Sequence, residues 1–261
     1  MTKKLFFPFF LFIALAMGAC SDDDDNITGG VVEVKKQIVK YDGSALGDDI
    51  FEFKYDSKHT LSSFVQYYGR SEMVINYALT FDSENKLQSL KKTRPDGRST
   101  TREFTYSANK LVVKNIYAYY EGDVYEYTDT LHLNANGLVI KIIGDLSEYF
   151  IEYEYDEKGN IIRYFETSKE GGKILQGTYK YDDKKCLFSN QGLPQWFWVY
   201  FGDGLEVCGG QNNLKEAAYK DGSEDIIVNV EYVYDNEGYP LRGFLKGEPD
   251  VAEVMTYQVI K

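Results

Sequence analysis

Few residues in this chain have the types and spacing that catalysis requires. The two histidines, His59 and His132, have no second histidine near either one, His59 falling in a turn and His132 in a strand. A Ser-His-Asp or Cys-His arrangement needs partners that nothing here marks. No CxxC pairs, HExxH or EF-hand spacing occurs, so no metal is expected. The glycines follow turns and do not bridge a strand to a helix as a phosphate loop does, so no nucleotide or other cofactor is expected. Carboxylates are abundant, and a glycosidase needs only two. Most Asp residues, Asp182, Asp183 and Asp203 among them, already have a turn-forming place, and most Glu residues fall on solvent-facing strand positions. A carbohydrate-active hydrolase therefore ranks last, and the expectation is a protein that is not an enzyme.

Binding chemistry is better represented. Pro194-Gln195-Trp196-Phe197-Trp198-Val199-Tyr200-Phe201 holds both tryptophans of the chain. On a strand, Trp196, Trp198 and Tyr200 would share one face and Phe197, Val199 and Phe201 the other. Both faces are apolar, so something must cover the second. Two readings follow: an inner core strand under a loop or neighbouring sheet, or an exposed platform on which a sugar ring or apolar ligand stacks. Tyr117, Tyr119, Tyr120, Tyr125 and Tyr127 form a second aromatic cluster. Cys186 and Cys208 lie 22 positions apart, and in an oxidising compartment such a pair can bridge. Unbridged, they would serve as small buried hydrophobes.

The third cysteine implies a different chemistry. Met1-Thr2-Lys3-Lys4 is basic, Leu5 to Met17 is an apolar run, and Gly18-Ala19 precedes Cys20. A basic start, a short apolar stretch and small residues before a cleavage point define a secretory signal peptide. The run falls short of the ~20 apolar residues that span a bilayer. Gly18-Ala19-Cys20 resembles the bacterial lipobox, which implies that Cys20 is acylated and becomes the first mature residue. Several acyl chains at ~0.8 kcal/mol per buried methylene make a firm anchor. Ser21-Asp22-Asp23-Asp24-Asp25-Asn26 and Ile27-Thr28-Gly29-Gly30 then form a solvated tether, since four adjacent carboxylates cannot pack. Its acidic start resembles the export tag of Bacteroidetes surface lipoproteins. That implies the outer face of the outer membrane, the alternative being a plain spacer on a periplasmic lipoprotein. The expected organisation is a signal peptide over 1–19, tether over 20–30 and one domain over 31–261.

A formal net charge of -12 argues against nucleic acid, whose phosphates need clustered Lys and Arg. The chain has 23 tyrosines, and an apolar ring with a polar tip suits half-buried strands and ligand surfaces alike.

The element that must position all of this is a repeat. Tyr153-Glu154-Tyr155-Asp156-Glu157-Lys158-Gly159-Asn160-Ile161 is its clearest copy, matched by segments anchored at Tyr55, Phe81, Tyr106, Leu133, Tyr181 and Tyr234. Successive gaps between anchors are 26, 25, 27, 22, 26 and 53 residues. The last gap approximates two periods, and a degenerate copy over Val207-Cys208-Gly209-Gly210-Gln211-Asn212-Asn213-Leu214 is assigned to fill it. Before each turn the residues alternate apolar and polar, as in a half-buried strand. The Asp opens the turn and Gly or Asn closes it with positive φ. Turn-rich Arg94-Pro95-Asp96-Gly97-Arg98 and Lys169-Glu170-Gly171-Gly172-Lys173 mark the opposite edge, and no segment shows sustained helical periodicity. The expectation is an all-β antiparallel meander of about eight hairpins, roughly 16 strands, curled or barrel-like. The same alternation suits an outer-membrane barrel. The lipid anchor, tyrosines spread along the apolar faces and a final Gln258-Val259-Ile260-Lys261 without an aromatic favour a soluble body.

These Tyr-Asp repeats resemble the YD-type repeats of large bacterial β-shell proteins. With the lipoprotein start, the mature chain resembles Bacteroidetes lipoproteins carrying a domain of unknown function described as porin-like in fold. That resemblance implies architecture and supplies no catalytic residues. The functional expectation is a non-catalytic surface binding or accessory lipoprotein, with extracellular glycan as ligand. A scaffold that docks a surface protein partner is the alternative.

Overall fold

The computed structural model describes residues 35–46, 49–68, 73–119, 122–188, 190–201, 210–221 and 224–260. The proposed lipidation site Cys20, the tether and Cys208 lie outside the described residues. Sixteen strands run as β1 Lys36–Asp42, β2 Ile50–Tyr55, β3 Leu61–Tyr67, β4 Val74–Phe81, β5 Leu87–Thr93, β6 Ser99–Ser107, β7 Lys110–Ala118 and β8 Val124–Leu133. The second half is β9 Val139–Gly144, β10 Tyr149–Tyr155, β11 Ile161–Ser168, β12 Lys173–Tyr181, β13 Leu214–Asp221, β14 Glu224–Tyr234, β15 Pro240–Leu245 and β16 Ala252–Val259. Each strand pairs antiparallel with its neighbours in sequence, and β1 pairs with β16 to close a barrel. The ladder is complete within these strands, so no sheet edge depends on residues before Lys36 and the domain can fold by itself.

The repeat explains how one end of the barrel is built. At Asp56, Asp82, Asp156 and Asp235, Oδ1 accepts from the backbone N–H groups two and four residues on, at 2.8–3.0 Å. Asn134 does the same. The residue third after the anchor Asp or Asn takes positive φ: His59, Asn85, Gly137, Gly159 and Gly238. The strand register shifts at Tyr55, Phe81, Leu133, Tyr155, Tyr181 and Tyr234, beside these turns. Bulges of this kind bend and twist a strand, so repeating one at these six positions, though not at the β6–β7 turn, helps curl the sheet until it closes. Tyrosine is used at several anchors because its tip has a partner. Tyr55, Tyr106 and Tyr155 donate to the carbonyls of Ile38, Leu87 and Val139 on the preceding strand, at 2.6, 2.9 and 2.6 Å.

Gly159 tests the turn. At φ +85° a Cβ would make only ordinary contacts, 3.5 Å from Gln195 Oε1 and 3.6 Å from Leu138. Gly159→Val should therefore cost about 1–3 kcal/mol through backbone strain alone. An unchanged thermal midpoint would show that the turn has been misplaced.

The barrel interior is mostly apolar, and the outer surface carries charged side chains together with exposed apolar ones such as Ile140, Ile174 and Val254. Phe51, Phe53, Phe64, Tyr77, Leu111 and Leu131 are buried in its interior. Outward positions carry cross-strand ion pairs: Lys114–Glu126 at 2.9 Å, Arg163–Glu154 at 3.0 Å, Lys180–Glu216 at 2.7 Å and Lys220–Asp225 at 2.8 Å. A membrane-spanning barrel needs the reverse, an apolar outer band in which a central Lys or Arg costs ~2–4 kcal/mol.

Two expectations change here. The segment expected as a strand is a helix, α1, over Gln195–Phe201. The reason is topological. β12 and β13 pair with each other and with their outer neighbours, so the apolar interior offers a new strand no partner. A helix satisfies its own backbone groups, which cannot be left unpaired there. Second, the gap of 53 residues is a single period with an insertion. Asp182 N–H donates to the Asn213 carbonyl at 3.1 Å, and Asp182 Oδ1 accepts from Asn213 N–H at 3.1 Å. Asn213 thus stands where the fourth residue after Asp182 would, 27 positions late, and removing those 27 positions from 53 leaves 26. The degenerate copy assigned to 207–214 is not a hairpin turn: its described residues, from Gly210, run directly into β13.

The inserted residues fold back into the barrel from the end where the Asp turns lie, here called the floor. Leu61 N–H donates to the Gln191 carbonyl at 3.0 Å, Gln37 Nε2 to Asn190 O at 2.6 Å, and Gln195 Nε2 to Gly159 O at 2.5 Å. From this attachment α1 rises through the core until Phe201 meets Phe64 and Tyr77, each 5.4 Å between ring centroids.

Candidate functional site

The insertion occupies the floor, where a shallow groove of about 490 Å³ runs past Asp156, Asn160, Tyr181 and Asp182; the more enclosed cavities lie at the opposite end, the rim. The turn Arg94–Arg98 joins β5 to β6 there, closed by Arg94 N–H to Arg98 O at 2.9 Å and by Gly97 at φ 87°. Asp96 Oδ1 accepts Arg98 N–H at 3.0 Å, and Asp96 Oδ2 holds the Arg98 guanidinium through Nε at 2.9 Å and Nη2 at 2.6 Å. An inner cavity of about 130 Å³ is lined by Tyr77, Leu90, Lys92, Arg94, Thr100, Arg102, Tyr117 and Phe201. It adjoins an outer cavity of about 240 Å³ that shares Lys92, Arg94, Thr100 and Tyr117 and adds Arg98, Ser99, Ala118 and Tyr119. Tyr119 is 51% exposed, so the outer cavity reaches solvent.

The lining is cationic. Lys92, Arg94, Arg98 and Arg102 contribute four positive charges, and among the described lining residues there is no carboxylate. This occurs in a chain with 41 acidic and 29 basic residues. Aromatic faces hold two of the cations in place. Lys92 Nζ lies 5.5 Å from the Tyr77 ring centre and the Arg102 guanidinium 5.1 Å from that of Tyr200. Beside the cavity, Tyr117 and Tyr127 stack with centroids 5.6 Å apart and hydroxyls 3.0 Å apart.

Below the cations sits Asp129, bonded by the Tyr200 hydroxyl and by Asn115 Nδ2 at 2.9 Å. Burial raises its carboxyl above the usual range, opposed by those two hydrogen bonds and by Arg102. Asp129 is thereby committed to the interior network. Among the described residues no group of three or more His, Cys, Asp and Glu is placed to hold a metal. His59 occupies the positive-φ position of its turn, and His132 faces outward opposite Lys141 on β9.

The residues expected to form an aromatic platform are placed otherwise. Trp196 and Trp198 are each 3% exposed, so they present no platform to solvent. Trp196 packs on Phe104 at 5.1 Å, and Trp198 stacks on Phe188 at 4.1 Å with planes 5° apart. On a helix Trp196 and Tyr200 lie on one side and Trp198 on another, so the three share no face. Tyr200, half-buried, reaches Arg102 and Asp129, next to the cavity. Cys186 is buried, and its pairing with Cys208 falls outside the described residues. The tyrosine cluster fares differently: Tyr117 and Tyr119 line the cavities and Tyr125 and Tyr127 stand beside them on β8, while Tyr120 is outside the described residues.

Sequence reasoning missed the basic residues, although a signal for them exists. Leu90 and Phe104 set the inward phase of β5 and β6. That phase continues through Lys92 on β5 into Arg94 at the start of the turn, and through Arg102 on β6. Charge at positions that elsewhere hold core residues distinguishes this sector.

Among solved structures, the chain is similar to a porin-like protein from Bacteroides uniformis ATCC 8492, with TM-score 0.48 and 12% identity over 81% of this chain and 91% of that one. It is also similar to a porin-like protein from Bacteroides vulgatus ATCC 8482, with TM-score 0.40 and 11% identity over 86% of this chain and 99% of that one. No family model and no curated protein matches the chain.

Proposed function

We propose that this protein is a non-catalytic surface lipoprotein, held to the outer membrane through lipid on Cys20 and facing the cell exterior, that binds extracellular glycan at the barrel rim. In this reading it is one of the Bacteroidetes lipoproteins with a porin-like barrel. The observation that carries it is the position of the cavity. β1 begins at the floor, where Lys36 pairs with Asp235 at 2.7 Å, and the cavity opens at the other end. An anchored chain would therefore enter its barrel opposite the binding end. Tyrosine rings at the cavity suit sugar stacking.

A scaffold that docks a surface protein is the second reading, supported by exposed apolar residues near the rim such as Val124, Tyr149 and Ile227. Two experiments test the proposal. Radiolabelled palmitate should enter the wild-type protein and not Cys20→Ala, and equal labelling would remove the anchor. A glycan array probed with the domain from Ile27 onward should give at least one specific signal. An array without signal would leave the scaffold reading in its place.

A further inference from the structure

The rim cavity carries more information than the presence of a ligand. Resting on the glycan reading above, we infer that the ligand is acidic: the cavity takes a carboxylate- or sulfate-bearing saccharide, its acid group held by Arg94, Lys92 and Arg102 and its ring set against Tyr117 and Tyr119.

The charge distribution points this way. The chain is net -12, yet these cations converge from β5, β6 and the turn between them on one space, with no carboxylate among its described lining residues. Like charges brought together in a partly buried space repel; Asp96 offsets Arg98 and Asp129 lies within the field of Arg102. Leu90 and Phe104, one step deeper on the same inward phase, show what packing alone would select. An anion in the cavity relieves that repulsion, and the effect is stronger away from bulk water. Arginine suits the task because its planar fork matches the two oxygens of a carboxylate or sulfate.

The side chains are also arranged in advance. Lys92 is laid over Tyr77, Arg102 over Tyr200, and Arg98 is held by Asp96. Groups already fixed lose less freedom when a ligand arrives. Among the described residues Arg94 makes no ion pair, which places its guanidinium at the ligand's disposal between the inner and outer cavities. The size limits the occupant. At about 130 and 240 Å³, each cavity is below the roughly 300–1,000 Å³ of drug-sized pockets. That suits one acidic sugar unit, with the rest of the chain passing Tyr119 into solvent.

The test is calorimetric titration of the domain from Ile27 onward with four probes: oligogalacturonate, a chondroitin sulfate disaccharide, neutral xylo-oligosaccharide and inorganic sulfate. At least one acidic saccharide should bind, tenfold or more tighter than the neutral one, and its affinity should fall as salt is raised. Arg94→Gln should weaken that binding about tenfold or more at unchanged thermal midpoint, because Arg94 stands at the rim and supports no core contact. Lys92→Gln should act in the same direction, and Arg94→Lys should recover only part of the loss. Binding of the neutral saccharide alone would overturn the acidic inference and leave the glycan reading standing. Inorganic sulfate bound as tightly as the saccharides would overturn the ring contact, leaving an adventitious ion only. Acidic binding unaffected by both substitutions would place the site elsewhere. No binding by any saccharide here or on the array would overturn the inference together with the reading beneath it.

Discussion

Trp198→Ala should destabilise the domain by about 3–5 kcal/mol, enough to unfold a protein of ordinary stability. Trp198 stacks on Phe188 at 4.1 Å and meets Phe197 edge-on at 5.1 Å and Phe53 at 6.4 Å. The void left by the indole would lie inside a wall whose strands are bonded on both sides, so the surroundings can close only slightly. The cost should therefore fall toward the upper end of the range for large-to-small core changes. Urea unfolding followed by circular dichroism reads it. A loss below about 1 kcal/mol would mean that this side chain is not a core residue.

Asn160→Ala should come next, at roughly 2–4 kcal/mol, since each buried donor or acceptor left unpaired costs ~1–3 kcal/mol. Asn160 is 1% exposed and forms the joint between the Asp156 turn and the returning end of the insertion. Its Oδ1 accepts the N–H groups of Gln211 at 2.8 Å and Asn212 at 3.1 Å, while Nδ2 donates to Asp156 Oδ2 at 2.9 Å and Asn212 Oδ1 at 3.1 Å. Asn160→Asp should not rescue it. It keeps the acceptor but loses the donors and sets a second carboxylate against Asp156. Hydrogen exchange adds a local readout: amides at Gln211 and Asn212 should exchange faster while those of distant strands such as β6 and β7 keep their relative protection. Unchanged exchange at both amides would show that Asn160 does not hold the insertion to the floor.

The wall of this barrel was legible in the sequence because its physics is local. Alternation along a strand, an Asp that caps its own turn and a residue tolerant of positive φ all lie within nine residues, and they recur at one period. What was not legible depends on closure. A seven-residue segment of one Gln followed by Trp, Phe, Val and Tyr has strand-like composition, and it becomes helical because the closed ladder leaves its backbone no partner. The insertion imitated two periods because its length, 27 residues, nearly equals one. The tyrosine cluster at Tyr117–Tyr127 was visible as composition, and its place beside the cavity became apparent only with the fold. Arg94 and Arg98 read as turn residues, which they are. Their second property, convergence with Lys92 and Arg102, is three-dimensional and leaves only the shifted inward phase as its trace.

The account turns on the insertion filling the barrel from the floor, which places the enclosed cavities at the rim. Acrylamide quenching of the native fluorescence tests this most directly, because both tryptophans of the chain lie on α1. The account predicts one blue-shifted emission band, shielded from acrylamide and unchanged when a saccharide occupies the rim. Red-shifted emission quenched as readily as free indole would contradict it, put α1 outside the barrel and return the tryptophans to the role of an exposed platform.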